Sequence, residues 1–157
     1  MSPLMELVTG GSSTERLRRK VKVFWDLAIG LSNLSVCHRL SVGVVILAQD
    51  LSTVLSIGFN GPPSGTPNDS CRDTQGNCGC IHAEANALVK LRTEQSGLLL
   101  IVTVSPCEHC AGLILNSRRI GAVLYGEEFR DAVGTKLIQS SGVPIAPIQD
   151  RLFPKSF

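Results

Sequence analysis

Apolar residues recur along the chain at two periods, one typical of helices and one typical of strands. From Thr14 to about Leu34 they return every three or four residues, which predicts an amphipathic helix. Residues 42–48 form a nearly continuous, β-branched apolar run that predicts a buried strand. A short turn and the apolar residues of 53–59 predict a second strand that pairs back as a hairpin. The apolar positions of the helix are Leu17, Val21, Phe24, Leu27, Ala28 and Leu31.

Strand and helix patterns alternate in the second half of the chain. The last predicted strand contains Pro144 and Pro147, which cannot donate to a sheet ladder, so it is expected at an edge. Alternation of this kind predicts an α/β fold with a mixed sheet of about five strands and helices on both faces. We expect a single domain (1–157) that begins with a flexible lead (1–13). The predicted elements are helix 81–93, strand 98–104, helix 107–116, strand 122–125, helix 131–140 and strand 143–148.

A long segment without regular structure separates the hairpin from this alternating half. Residues 60–67 hold prolines and glycines too densely for a helix or a strand, and the irregular segment continues to Cys80. Loops of this length inside a compact domain are usually functional or held by a metal.

Composition and charge narrow the classes of function. The 157 residues are 43% hydrophobic and 18% charged, as is ordinary for a compact domain. No apolar run approaches the ~20 residues of a membrane span, and the first residues lack a signal-peptide layout, so no membrane partner is expected. The net charge of +2 and a single short basic cluster predict no nucleic-acid polymer as partner. Six cysteines without a secretion signal indicate metal ligands in a reducing cytoplasm.

His82, Cys107 and Cys110 have the types and spacing of zinc ligands. A catalytic zinc takes three protein ligands and leaves a fourth position for water. Cys107 and Cys110 are three residues apart, which places them on one face of a helix. Pro106 favours a helix start directly before them, and the positive end of that helix stabilises thiolates. The sequence therefore predicts one catalytic Zn²⁺ held by these three residues.

Glu84 stands two residues after His82, in the first turn expected for helix 81–93. There it can face a water on the metal and move protons, which assigns it as general acid and base. Alone, His82 and Glu84 are typical of a surface pair, and Cys107 and Cys110 of a redox pair or half of a structural zinc site. Together, His-x-Glu and Pro-Cys-x-x-Cys form the signature of the zinc-dependent base deaminases. The combination favours a hydrolytic zinc site.

Further motifs extend this similarity over most of the chain. They are Ser35–Gly43, the Asn-Gly-Pro-Pro segment within Gly58–Gly65, and Tyr125–Asp131. With these motifs the chain resembles the cytidine and deoxycytidylate deaminase superfamily, and most closely its deoxycytidylate (dCMP) deaminases, including phage-encoded ones. The resemblance implies a three-layer α/β/α cytidine-deaminase-like fold. It also implies hydrolysis of dCMP to dUMP and ammonia in pyrimidine nucleotide metabolism.

The resemblance also implies roles for residues that would contact the substrate. Asn60 is expected to hold the sugar, and the backbone at Ala83 and Ser105 to contact the edge of the pyrimidine. Arg39 is our candidate for the 5′-phosphate, because a guanidinium fork suits a phosphate. Phe129 stands where a tyrosine is expected near the ring, so it can wall the pocket without offering a hydroxyl.

Four more cysteines, Cys37, Cys71, Cys78 and Cys80, predict a second, structural Zn²⁺. Some phage-type members of the superfamily carry a second zinc at positions that resemble Cys37 and Cys71. Such a metal would hold the long irregular segment in place. His38 is a spare ligand, and unpaired thiols are the alternative interpretation.

Several functional alternatives stay open at this level. The substrate could be dCTP or a 5-modified dCMP, and residues 106–112 are also similar to those of tRNA adenosine deaminases. A zinc-stabilised binding module is the non-enzyme alternative, but it leaves Glu84 without a role. The resemblance implies a homo-oligomer (hexamer or dimer), with dCTP and dTTP as possible effectors. It places the protein in the cytoplasm, or in the host cytoplasm if the source is viral.

Overall fold

The computed structural model describes residues 3–11, 14–72 and 77–152 of the chain. One five-stranded mixed sheet is flanked by helices on both faces. In chain order the elements are α1 (Pro3–Thr9), α2 (Glu15–Ser32), β1 (Gly43–Leu47), β2 (Val54–Phe59), α3 (Ala83–Lys90), β3 (Leu98–Val104), α4 (Glu108–Ser117), β4 (Ile120–Glu127), α5 (Val133–Ser140), β5 (Ile145–Pro147) and α6 (Gln149–Leu152).

The sheet has the strand order β2-β1-β3-β4-β5. Strand β1 pairs antiparallel with both β2 and β3, whereas β3, β4 and β5 run parallel. The carboxyl ends of β3 and β4 therefore lie side by side, since parallel strands end at the same edge. The mixed sheet and the edge position of the last strand are as predicted.

Alternate side chains of the central strands pack into two separate hydrophobic cores, one on each face of the sheet. On β3, Leu99 and Ile101 pack with α1, α2 and α6, whereas Leu100 and Val102 pack with α3, α4 and α5. A period of two residues along a strand produces this division. All five residues of β1 are buried, as expected for a strand covered on both faces. This arrangement confirms the predicted three-layer α/β/α fold.

Helix α2 begins where its pattern predicted, because the hydroxyl of Thr14 accepts a hydrogen bond from the Leu17 backbone N–H (3.3 Å). Its buried face includes Val21 and Ala28. Leu27 was expected among the buried positions, but it is 39% exposed. Trp25, one turn after Val21, is buried instead, so the inward face is rotated relative to the simple apolar stripe.

The amino-terminal lead differs most from the prediction. Residues 3–9 form helix α1, and Leu4, Leu7 and Val8 are at most 2% exposed within the core beside the sheet. The flexible lead predicted for residues 1–13 is therefore wrong for this part, while residues 1, 2, 12 and 13 lie outside the described range. A seven-residue helix is too short to show a clear period, and burial against the sheet stabilises it.

Smaller differences concern the ends of elements. Strand β4 is longer at both ends than the predicted 122–125, since its pairing with β3 extends it. Helix α6 had no counterpart in the prediction. Among the described residues no helix combines the length and the apolar character that crossing a membrane requires.

A close backbone approach sets the start of helix α3 against the sheet. A β-carbon on Gly58 would lie 2.2 Å from the carbonyl oxygen of Ala83, so only glycine permits this contact. The hydroxyl of Ser56 donates to the Ala87 carbonyl (2.7 Å) on the next turn of the same helix. Strand β2 therefore fixes where the first residues of α3 lie.

Candidate active site

Two helix starts face each other at the edge where the strands end. His82 is the residue directly before α3, and Cys107 is the residue directly before α4. Both have extended backbone conformations, and neither side chain caps its own helix. Cys110 lies in the first turn of α4 and is fully buried. This arrangement brings an imidazole and two sulfurs together at the positive ends of two helices.

The distances among these three side chains fit a zinc ion. The Nδ1 atom of His82 lies 3.5 Å from the Sγ atom of Cys107 and 3.4 Å from that of Cys110. A tetrahedral zinc with ordinary Zn–N and Zn–S bonds separates a nitrogen and a sulfur ligand by about 3.5 Å. All three ligand atoms lie within 4.8 Å of one another. The Cys/His cluster therefore fits Zn²⁺ without rearrangement.

The pKa values of the two thiols shift in opposite directions. A hydrogen bond from Cys110, and then one from His82, lowers the pKa of the Cys107 thiol to about 3. The bond with Cys107 and then burial raise the pKa of the Cys110 thiol above its usual range. The hydrogen bond to Cys107 also raises the pKa of His82. Without a cation the sulfurs share one negative charge, whereas a divalent ion would permit both to ionise.

Glu84 is buried beside this cluster. Only 4% of its surface is exposed, and it lies in the first turn of α3, two residues after His82. Burial raises the pKa of its carboxyl group above the ordinary value of 4.5. A carboxyl with a raised pKa takes up and returns protons more readily near neutral pH.

His82, Glu84 and Cys107 line one cavity of about 390 Å³. It lies at the edge of the sheet where β3 and β4 end. This is where open α/β sheets ordinarily bind ligands. Every residue to which the sequence assigned a substrate contact lines this cavity: Arg39, Asn60, Ala83, Ser105 and Phe129.

Asn60 uses its side chain to hold the adjacent wall of the cavity. Its Oδ1 atom accepts from the Val42 backbone N–H (2.8 Å), and its Nδ2 atom donates to the Leu40 carbonyl (2.6 Å). The residue is 6% exposed. These two bonds position the segment that carries Arg39, an exposed residue at the rim.

Ser105 connects the ends of two parallel strands. Its backbone N–H donates to the Glu127 carbonyl (2.8 Å), and its hydroxyl accepts from the Phe129 backbone N–H (2.7 Å). Ser105 is 2% exposed and precedes Cys107 by two residues. These bonds tie the segment that carries Phe129 to the segment that carries Cys107. At the start of α3, Ala83 is fully buried.

The other four cysteines form a second cluster, and Cys37, Cys78 and Cys80 line the same cavity. The sulfur of Cys37 lies 3.8 Å from that of Cys71 and 3.9 Å from that of Cys78. These separations are far longer than the ~2.05 Å of a disulfide bond. The four Sγ atoms of Cys37, Cys71, Cys78 and Cys80 lie within 4.8 Å of one another. Burial raises the pKa of the Cys80 thiol above its usual range.

His38 contacts this cluster through its backbone, since its N–H donates to the sulfur of Cys71 (3.5 Å). The set of ligand atoms that the structure brings together there consists of the four sulfurs, without the imidazole of His38.

The sequence missed several residues of the cavity. Among them are Glu127, the last residue of β4, and Glu128 and Arg130, which follow it. A usable signal was present, because two neighbouring parallel strands end at the same edge and the segment after β3 carries Cys107. The residues after β4 could therefore be expected in the same site.

A protein-family comparison identifies the region that carries this site. The model of the family described as "Cytidine and deoxycytidylate deaminase zinc-binding region" matches residues 18–127. The match covers α2 from residue 18 onward, the hairpin, both helix starts with the Cys/His cluster, and β4.

Individual proteins are similar over most of the chain. The deoxycytidylate deaminase of Mycobacterium phage D29 is 33% identical over 67% of this chain and 92% of its own length. That of Saccharomyces cerevisiae is 29% identical over 78% of this chain, but this chain spans only 42% of the yeast protein. The crystal structure of dCMP deaminase from the cyanophage S-TIM5, in complex with dCMP and dUMP, has a TM-score of 0.75 and 30% identity, and the match covers 87% of this chain and 99% of that one.

Proposed function

Because the chain belongs to the cytidine and deoxycytidylate deaminase family, we propose that it hydrolyses dCMP to dUMP and ammonia. In this proposal His82, Cys107 and Cys110 hold the catalytic Zn²⁺, and Glu84 is the general acid and base. The observation that carries the proposal is the grouping of one imidazole and two sulfurs near a buried carboxyl group, at a cavity that His82, Glu84 and Cys107 line.

The chain's own residues would bind and orient the nucleotide. The backbone at Ala83 and Ser105 would contact the pyrimidine edge, and the ring of Phe129 would form one wall. An asparagine side chain has two amide N–H groups, so Asn60 can hold Leu40 with one and the sugar with the other. Arg39, whose segment Asn60 positions, would contact the 5′-phosphate. All five residues line the cavity.

Glu84 would carry the protons of the reaction. Zinc bound at His82, Cys107 and Cys110 would lower the pKa of a water from about 15.7 toward about 7. Glu84 takes a proton from the attacking water and delivers it to ring nitrogen N3 as a carbon–oxygen bond forms at C4. It then takes the proton of the new C4 hydroxyl group and transfers it to the amino group, the C4–N4 bond breaks as the C4 carbonyl forms, and ammonia leaves. The raised pKa of this buried carboxyl group suits both transfers.

We also propose that Cys37, Cys71, Cys78 and Cys80 hold a second, structural Zn²⁺. Ordinary Zn–S bonds in a tetrahedron separate the sulfurs by about 3.8 Å, and two pairs lie 3.8 and 3.9 Å apart. The raised pKa of the Cys80 thiol, caused mainly by burial and then by the neighbouring sulfurs, is relieved when a cation binds. Such an ion would connect the segment after α2 to the segment before α3.

The reaction is tested by incubating purified, zinc-loaded protein separately with several substrates and measuring the ammonia released. The substrates are dCMP, dCTP, 5-methyl-dCMP, deoxycytidine and a tRNA stem-loop that contains adenosine. We expect the highest kcat/KM for dCMP. Higher activity on dCTP or 5-methyl-dCMP would show that this nucleotide, and not dCMP, is the preferred substrate. Activity on the stem-loop alone would overturn the proposal. Absence of ammonia with every substrate would leave only a zinc-binding module.

The second metal is tested by elemental analysis of unstripped protein. We expect two zinc ions per chain in the wild type and one in Cys71→Ser. Ser70→Ala is the matched control, because Ser70 is the adjacent residue and donates to the Pro67 carbonyl rather than to the cluster. One zinc per chain in fully active wild-type protein would remove the second site.

We propose a homo-oligomer (dimer or hexamer) in the cytoplasm, with dCTP and dTTP as effectors. Large apolar side chains left exposed on two helices, such as Val23 (63%) and Val89 (72%), support association with further copies of the chain. The thiol clusters support a reducing compartment. Light scattering tests the assembly, and dCMP kinetics with added dCTP or dTTP test the effectors. A monomer whose rate neither nucleotide changes would contradict both proposals.

A further inference from the structure

Asn86 connects helix α3 to the end of strand β2. Its Nδ2 atom donates to the Phe59 carbonyl (2.9 Å). Asn86 lies one turn after His82, whose carbonyl accepts from the Asn86 backbone N–H (3.0 Å). Asn86 is half-buried and stands outside the set of described residues that line the cavity. Any effect of this side chain on a bound nucleotide must therefore pass through the residues that it holds.

A pair of backbone hydrogen bonds holds the other side of the same segment. The Gly61 N–H donates to the Ile81 carbonyl (3.2 Å), and the Ile81 N–H donates to the Gly61 carbonyl (2.8 Å). Ile81 directly precedes His82. Phe59 and Gly61 are thus both bonded to the stretch of chain that carries His82 and Glu84.

Asn60 lies between these two points of attachment, and its side chain is fixed. Its Oδ1 atom accepts from the Val42 N–H (2.8 Å) while its Nδ2 atom donates to the Leu40 carbonyl (2.6 Å). Any rotation of the amide group would break both bonds. The position of its second amide N–H therefore depends on where the backbone of Phe59 and Gly61 is held.

We propose that Asn86 is a positioning residue, which holds Asn60 at the distance from the Cys/His cluster at which its second amide N–H meets the sugar hydroxyl of the nucleotide. The inference rests on the proposed deaminase function and deepens it.

The physical reason is that the reacting carbon and the sugar hydroxyl belong to one molecule. The distance between the zinc ligand His82 and the amide of Asn60 must match the length of that molecule. Hydrogen bonds weaken steeply when their distance and angle are disturbed, and a small misplacement of a bound substrate slows its reaction. Asn86 sets this distance because it lies on the same helix start as His82 and bonds to the residue before Asn60.

The measured quantity is the ratio of kcat/KM for dCMP to kcat/KM for 2′,3′-dideoxy-CMP, whose sugar has no free hydroxyl. Asn86→Leu removes the amide donor at a similar side-chain volume. We expect it to lower this ratio about 3- to 10-fold, as for one lost hydrogen bond between uncharged groups. If Asn86 contributed to stability alone, both kcat/KM values would fall by the same factor and the ratio would stay unchanged.

Ser56→Ala is the matched control. Ser56 is also on β2, and its hydroxyl donates to the Ala87 carbonyl on α3 (2.7 Å). The substitution removes a bond between the same two elements, but three residues before Phe59. We expect a lower free energy of unfolding with the wild-type ratio of kcat/KM values. An equal fall of the ratio in Ser56→Ala and Asn86→Leu would overturn the specific role of Asn86.

A binding measurement without turnover provides an independent readout. Calorimetry with zinc-loaded protein should show the Kd of dUMP rising about 3- to 10-fold in Asn86→Leu, again as for one lost hydrogen bond. The Kd of 2′,3′-dideoxy-UMP should stay near the wild-type value, because this ligand has no hydroxyl for Asn60 to contact.

The outcomes separate this inference from the proposed function. Unchanged kcat/KM and Kd ratios in Asn86→Leu, with deamination of dCMP by the wild type intact, would overturn the role of Asn86 alone. A wild type that deaminates dCMP and 2′,3′-dideoxy-CMP equally well would overturn the inference together with the sugar contact of Asn60. Absence of deamination of every nucleotide by the wild type would overturn the proposed function.

A second variant covers the case in which Asn86→Leu does not fold. Asn86→Asp has nearly the same shape as the wild type, but its carboxylate cannot donate to the Phe59 carbonyl. We expect the same fall in the ratio of kcat/KM values, and an unchanged ratio in this variant would overturn the inference.

Discussion

Gly134, in the first turn of α5, lies directly against the backbone of Cys107. A β-carbon on Gly134 would be 2.7 Å from the Cys107 carbonyl carbon and 2.0 Å from the Pro106 carbonyl oxygen. Real β-carbons do not approach backbone atoms this closely, so any larger residue must displace one of the two segments. Helix α5 therefore supports the sulfur-bearing start of α4.

Gly134→Ala is expected to destabilise the protein and weaken zinc binding. Overpacking of this kind typically costs about 1–3 kcal/mol in the free energy of unfolding. Urea denaturation and zinc competition would measure the two effects. Gly30→Ala is the control, because nothing lies within 4 Å of its β-carbon on α2. That substitution should increase the free energy of unfolding by about 0.4–1 kcal/mol. Equal stability of both variants would contradict the close approach.

Ser105→Ala is expected to raise the KM for dCMP more than it lowers kcat. The substitution removes the acceptor of the Phe129 N–H, while Glu84 and the Cys/His cluster stay in place. We expect the lost hydrogen bond to lower the free energy of unfolding by about 1–3 kcal/mol. Steady-state kinetics and thermal unfolding would measure both effects. Ser140→Ala is the control, since the Ser140 hydroxyl donates to the Leu137 carbonyl on the exposed side of α5. A Ser105→Ala variant with unchanged KM would show that the rim does not depend on this bond.

Glu84→Gln is expected to keep its zinc and lose about 10²- to 10⁴-fold in kcat. The amide has nearly the same shape as the carboxyl group but cannot carry the proton from water to N3. Cys107→Ala should instead lose both the catalytic zinc and the activity. Elemental analysis and ammonia release distinguish the two variants. A near-normal rate in Glu84→Gln would show that another group transfers the protons.

We expect the affinity for the catalytic zinc to decrease as the pH is lowered. The steepness of this decrease depends on how many protons the metal displaces from its ligands. Hydrogen bonds from Cys110 and His82 lower the pKa of Cys107 to about 3, so this thiol has already lost its proton. The bond with Cys107 and burial raise the pKa of Cys110, whose proton the metal must displace. The bond to Cys107 raises the pKa of His82 above 6.5, so below that raised pKa a second proton competes.

As the pH is lowered, the apparent zinc affinity should therefore fall about tenfold per pH unit while the pH is above the pKa of His82. Below that pKa it should fall about 100-fold per pH unit. Protein equilibrated with chelator-buffered zinc at several pH values, then assayed at one common pH, would measure the slope. An affinity that does not change with pH would contradict this set of proton-binding ligands.

Local patterns in the sequence predicted most elements and the chemistry of the main site. Helix α2, the hairpin and the order of strands and helices follow from apolar periods, because a period of 3.6 or two residues is a property of the backbone itself. The short helix α1 was missed, since three buried residues, Leu4, Leu7 and Val8, establish no period. The metal-binding and catalytic roles of His82, Glu84, Cys107 and Cys110 stay predictions, although the structure brings the three ligand atoms together.

The sequence by itself determined the element types, the spacing of Cys107 and Cys110, and the position of Glu84 two residues after His82. These depend on residues within a few turns of one another, which local geometry relates directly. Only the tertiary structure decided that Asn60 holds Leu40 and Val42, that Ser105 holds Phe129, and that Arg130 lies on that ring. The physical reason is that such contacts join distant segments, and they form only once strand pairing has brought the ends of β3 and β4 to one edge.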